Sequence, residues 1–309
     1  MNRRSGAFTV LMIALAPIVA SAQNTRSAVS VTGSDAATCT VPDPCRTFST
    51  ALSKTNLGGE VVALSSGGYG AFSVTQAVNI FSPAGIYAGI AVPAPTTVNG
   101  VGINVSTPSG QSVVLRGLYI NNATGSVSGV GIFVSSSGTI VYVEDMVISK
   151  CGEGIDVGAD ANVRITDTVA RDGGDGFFMT NATVRARAVV DGCRFENNTF
   201  GIIVAARNDV TVTNSLVAGN SIGVSIQAPT PANSRMTIKD CVIAQNGTGI
   251  DAAFADATAV FRVARSFITQ NTQHAFRTQS GGGSVTSAGN NVVIDNAADE
   301  TFSGTFALK

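Results

Sequence analysis

The sequence predicts an all-β coil, in which short parallel strands, three to each turn, stack into one elongated domain. Three observations predict it: a repeat of fixed period, apolar runs too short for helices, and turn residues that fall in columns. From Gly131 to Asn296 one pattern returns, and its best copy is Met236 to Asp251. Alternating apolar residues come first, then Asp or Asn, an apolar residue three places on, an Asn at six places, and a Gly-apolar pair. The Gly stands at 131, 154, 176, 201, 223 and 249 and is replaced by Ala275, with steps of 23, 22, 25, 22, 26 and 26 residues. Self-similarity at such a period is the signature of stacked supersecondary units.

The runs within each repeat are three to five residues long, whereas a helix needs about ten or more residues of period 3.6. Val, Ile and Thr dominate them, as in Val210 to Thr213; such β-branched side chains pack well on a pleated surface. One shared period lets equivalent strands stack in parallel about 4.8 Å apart, with inward Ile and Val forming a continuous core. Aligned by this pattern, the first turn position holds Asp145, Asp167, Asp191, Asn214, Asp240, Arg265 and Asn290. Six residues further on stand Cys151, Gly173, Asn197, Asn220, Asn246, Asn271 and Asn296. Five asparagines in one column predict a ladder of side-chain amides, each donating to one neighbour and accepting from another.

These motifs resemble those of the right-handed parallel β-helices of the pectate-lyase-like superfamily, polygalacturonases included. The coil pattern covers about half of the chain. A second likeness lies upstream, in Pro44 to Leu52, Leu57 to Leu64 and Gly67-Gly68-Tyr69, which looks like the capping helix, Gly-Gly turn, strand and Gly-x-Tyr loop that open many such proteins. The resemblance implies a single right-handed β-helix of roughly ten coils with an N-terminal capping helix. The fold hosts lyases, hydrolases, epimerases, adhesins and inactive relatives, so it does not by itself assign an activity.

In chain order, residues 1–22 read as a secretory signal: Arg3 and Arg4, a mostly apolar stretch from Ala7 to Ala20, and an Ala20-Ser21-Ala22 cleavage site. The apolar stretch is too short for a stable membrane span, and no later segment is long enough. Cleavage would leave 17 basic against 20 acidic residues, a mild charge that argues against nucleic acid or anionic membrane as partner. The expected location is secreted or periplasmic. Residues 23–60 form the cap, 61–296 the coils and 297–309 a tail over the last coil, whose open end would otherwise present unpaired backbone. Cys39 and Cys45, with five residues between them, read as a local disulfide; a metal site is the alternative, but no nearby His or second pair completes it. Cys151, Cys193 and Cys241 fall on separate coils, about 9.6 Å apart in rise, and read as buried thiols. Pro-rich pieces at Val92 to Pro95 and Pro229 to Pro231 read as outward loops.

In the resembled enzymes sugar polymers lie along the sheet built from the Gly-apolar strands. The outward column there reads Phe133, Asp156, Phe178, Ile203, Ser225, Asp251 and Arg277, and the residue before each Gly reads Val130, Glu153, Asp175, Phe200, Ile222, Thr248 and His274. Acid gathers at Glu153, Asp156, Asp172 and Asp175. Glu153 and Asp175 match the carboxylate column of polygalacturonases on adjacent coils, which implies a general acid and base; Asp156 and Asp172 are read as substrate-binding, and Phe133 and Phe178, outward on the same sheet, either stack a sugar ring or pack under a loop or a partner subunit. The match then departs: Phe200 stands where the family's His belongs, and its Arg-Ile-Lys is missing. Solvated turn acids remain the alternative. A lyase would instead use carboxylates to hold Ca²⁺, with Arg164 or Arg171 as base; calcium takes six to eight oxygens, which these acids would supply in part. His274 lies four coils from Asp175, about 19 Å, too far for shared proton transfer. With no Trp and four Tyr, Tyr142 beside Glu144 is the sugar platform the sequence offers. An extracellular polysaccharide of uronic-acid type is the expected partner, and a non-catalytic surface or adhesin-like rod is the alternative.

Overall fold

Each strand pairs in parallel with its equivalents one coil away, as a single repeat period dictates. The computed structural model describes residues 23–94, 100–124, 126–180, 185–205, 207–227, 233–255, 258–279, 281–298 and 301–307. Residues 1–22, read above as a secretory signal, and Pro229 to Pro231, read as a loop, lie outside them, as does Pro95. Three parallel sheets of twelve, nine and ten strands form the faces of a right-handed solenoid. One full coil runs Val130–Val134, Ile140–Glu144 and Val147–Ser149, which belong to the nine-, twelve- and ten-stranded sheets in turn.

Alternation along each strand sends every second residue inward. On the twelve-stranded sheet the inward column includes Val143, Ile165, Val190, Val212, Ile238 and Val263, all in register and buried. Burying each such side chain contributes about 1.5–3 kcal/mol. At the corner between the twelve- and ten-stranded sheets one residue takes a left-handed backbone: Asp145, Asp167, Asn214, Asp240 and Arg265 have φ of 52°, 47°, 49°, 57° and 47°. Asn290 does not share this conformation, the Gly289 before it having φ 82° instead, and Asp191 also departs from the expected column. It ends its strand opposite Thr166 and Thr213, and Gly192, with φ 65°, makes the turn. Gly adopts that conformation without a Cβ penalty, so the corner moves one residue on.

The slip carries forward to the next corner. Asn197 takes the left-handed turn (φ 56°), and Asn198 enters the buried amide column in its place. Asn198, Asn220, Asn246 and Asn271 each donate from Nδ2 to the Oδ1 of the next asparagine, at 3.2, 3.0, 3.1 and 2.7 Å. The backbone N–H of each also donates to that same Oδ1.

Gly154, Gly176, Gly201, Gly223 and Gly249 have ordinary φ, so their need is spatial rather than conformational. A Cβ on any of them would stand 2.6–2.7 Å from the carbonyl oxygen of the next coil's equivalent residue. Ala275 is accommodated at the last of these positions, where the chain above is Ala298, whose carbonyl accepts from the Ala275 N–H at 2.8 Å.

Both ends are covered. The strand Asn24–Val29 pairs with Thr55–Ala63 at one end. The Cys39–Cys45 disulfide and the helix Phe48–Ser53, capped by Thr47, pack there, with the Phe48 ring 4.9 Å from that of Phe72. At the other end Gly304–Thr305 extends the twelve-stranded sheet, and the Phe302 ring lies 4.6 Å from Phe276. No helix among the described residues is long and apolar enough to cross a membrane.

Candidate functional site

The acidic cluster is positioned by the nine-stranded sheet. Glu153–Val157 pairs with Asp175–Met179 so that Glu153 faces Asp175 and Asp156 faces Phe178; on the other side Asp156 faces Phe133. Asp156 therefore stands between two aromatic rungs in one column. It is only 6% exposed, with the Thr180 hydroxyl donating to its Oδ1 at 2.8 Å. Gly158 makes room for Phe133, since a Cβ there would stand 2.6 Å from the ring. Glu153, Asp175, Phe133 and Phe178 are half-buried.

Removal from water disfavours the charged form of a carboxylate. Burial pushes Asp156 up to about 7; the Thr180 hydrogen bond pulls the other way, and the Glu153 charge adds to the rise. Asp175 is pushed up to about 6 by burial and then by the charge of Glu153. Burial also raises Glu153, offset by a hydrogen bond from Asp156. In mildly acidic water Asp156 thus keeps its proton, which it shares in a hydrogen bond with Glu153, while Asp175 hovers between forms. A carboxyl that keeps its proton towards neutral pH has the makings of a general acid.

Asp172 stands apart from this arrangement. It occupies a left-handed turn (φ 58°), accepts from Asn197 Nδ2 at 3.3 Å, and lies 3.6 Å from the Arg171 guanidinium. It lines a separate pocket with Asn122 and Lys150. His274 is four rungs from Asp175, in register through Phe200, Ile222 and Thr248. Tyr142 lies on the twelve-stranded sheet between Val114 and Arg164, off the acidic face. Among the described residues no three His, Cys, Asp or Glu side chains gather to hold a metal ion. The acids feel each other's charge without converging on one point, a poor fit to calcium's six to eight oxygens.

Two partners escape a reading of the sequence. Thr180 follows the strand and carries no motif. Further along the outward column Asp251, fully buried, is gripped by Arg277 through Nε at 3.1 Å and through Nη2, and the Arg277 guanidinium lies 5.1 Å from the Phe254 ring centre. Their equivalent places on adjacent coils were the available signal.

A family model for the right-handed β-helix region matches residues 130–298, more than half of the chain. The chain belongs to the right-handed β-helix family. This β-helix is similar in structure to pectate lyase Pel9A, with a TM-score of 0.71, 15% identity, and coverage of 93% of this chain and 79% of that one. It is also similar to a rhamnogalacturonan lyase, with a TM-score of 0.61, 12% identity, and coverage of 88% and 87%. At such identities the likeness concerns the fold. No curated protein matches the β-helix in sequence.

Proposed function

We propose that this is an exported β-helix that binds an extracellular acidic polysaccharide along its nine-stranded sheet and hydrolyses it at Glu153 and Asp175. The observation that carries the reading is the set of three carboxyls on two adjacent rungs, all with raised pKa. Asp175, protonated below about 6, gives its proton to the glycosidic oxygen as the bond to the sugar breaks. Glu153, whose ionised form the Asp156 hydrogen bond favours against the effect of burial, stabilises the cationic sugar from the other side when it carries its charge. Water then completes the sugar, with its second proton returned to a carboxylate. Asp156 is too buried to reach substrate and acts as a positioning residue. Phe133 and Phe178 dry the site and border it, while Asp172 would meet only a chain that extends across the neighbouring turn.

Other features agree. The 1–22 leader and the Cys39–Cys45 disulfide suit an oxidising compartment outside the cytoplasm. The structurally similar proteins include lyases of pectate and rhamnogalacturonan, polymers of the class proposed. The second reading, a glycan-binding rod without catalysis, is favoured by Ile203, Ser225 and Asp251, which are buried and close the outward face beyond Phe178.

The test follows new reducing ends and unsaturated-uronide absorbance on pectin, alginate and neutral polymers, with the leader-free protein and a Glu153→Gln, Asp175→Asn double variant. Reducing ends without absorbance, lost in the variant, are the expected result. Turnover that survives the double variant would sink the site. Absence of turnover on every polymer would favour the binding rod.

A further inference from the structure

We propose that the ten-stranded sheet carries a second carbohydrate site, at Tyr87 and Tyr119, which holds a polysaccharide chain by ring stacking without cleaving it. Tyr119 lies on the strand Leu118–Asn121, where Leu118 and Ile120 point inward and are buried, so the alternation sends Tyr119 outward. That strand is paired on both sides, with Ala88–Ala91 and with Val147–Ser149, which makes the platform rigid. Tyr87 and Tyr119 are 47% and 38% exposed, their ring centres are 4.8 Å apart, and their planes meet at 43°. The two rings thus form a shallow open angle rather than a closed stack. Gly89 leaves room for it, since a Cβ there would stand 2.8 Å from the Tyr87 ring.

Exposed apolar surface rimmed by polar groups is where a protein meets ligands and partners, and the two rings offer such a surface. The surroundings select the chemistry of the occupant. Beside Tyr119 opens a pocket of about 600 Å³, lined among others by Pro83, Ile86, Arg116 and Asp145. That volume suits a small ligand or one or two sugar units, within the ~300–1,000 Å³ usual for such sites. Arg116 pairs with Glu144 at 3.1 Å and remains exposed at the pocket. A pyranose has an apolar C–H face and a rim of hydroxyls. Tyrosine rings fit the first, and charged and polar groups fit the second. A purely apolar partner would take Asp145 and the Arg116–Glu144 pair out of water without offering them new polar contacts, which is costly. The site is on a different face of the coil from Glu153 and Asp175, so it is independent of the hydrolytic reading.

The chain contains no Trp and four Tyr, so intrinsic emission reports tyrosine directly, and two of its four sources sit in this site. Titrating the leader-free protein with hexamers of galacturonate and of glucose should give a saturable emission change with at least one of them. The same change is expected in the Glu153→Gln, Asp175→Asn variant. By calorimetry, Tyr119→Ala and Tyr87→Ala should each weaken binding about tenfold or more, which is about 1.4 kcal/mol, with unchanged thermal unfolding, and Tyr119→Phe should retain it. The proposal is overturned if neither hexamer binds, or if binding is unaltered in both alanine variants. Self-association that rises with protein concentration and vanishes in Tyr119→Ala would also overturn it, giving the surface to a second copy of the chain.

Discussion

Asp156 illustrates how one side chain couples packing to pH. In the fold it keeps its proton up to about 7, against the usual 3.8 of an aspartate. Between those values the folded chain binds more protons than the unfolded one, so the contribution to stability falls as pH rises. The melting temperature should therefore decline from about pH 5 to about pH 8, and Asp156→Asn should flatten that decline, because an amide still donates to Glu153 and accepts from Thr180. Scanning calorimetry across that range would show a parallel decline in both proteins if Asp156 were not the source. Turnover should fall on the alkaline side as Asp175 loses its proton, with a limb near 6. Initial rates against pH, compared with Asp175→Asn, check this limb. Asn246 is the residue-scale test of the corner: it accepts from Asn220 and donates to Val217 O and Asn271. Asn246→Ala would strand several buried groups and should cost about 2–4 kcal/mol in urea unfolding. The residue types at these positions were legible in the sequence, because spacing alone puts Glu153, Asp156 and Asp175 on adjacent rungs. Their burial was not, since it depends on rings and a hydroxyl contributed from other coils.

At the level of strands and turns, the repeat made the three-sheet coil legible, and only the register went astray. The pattern assumed that Asp191 turned the corner, whereas the Gly that follows it does so more cheaply, and the error passed on to Asn197. A template of residue types cannot sense which of two neighbours takes the left-handed backbone when both suit it. The glycine column carries a sharper expectation. Gly223→Ala would drive a Cβ to 2.6 Å from the Gly249 carbonyl oxygen, and the neighbouring coils would have to part. A loss of about 1–3 kcal/mol is expected, to be read from the urea midpoint. Retained stability there would show that the coils yield more easily than their packing implies. Arg277→Ala, which leaves Asp251 buried without its counter-charge, should cost on the order of 3–5 kcal/mol; the double change with Asp251→Asn should recover part of it.

Taken whole, the molecule is a stack in which each coil touches only the coils above and below it, so stability is close to a sum of coil and interface terms. Its weak points are then the ends, which the disulfide-braced cap and the Phe302 tail protect to different degrees. Cys151, Cys193 and Cys241 are free and buried, and burial pushes their thiols up to about 12, 12 and 11, so they are inert while the stack is closed. They also sit at successive heights along the rod. Mixed with a thiol-specific alkylating reagent in mild denaturant, the protein becomes its own clock. The order in which the three sulfurs take up label tells from which end the zipper opens, without any probe having been added.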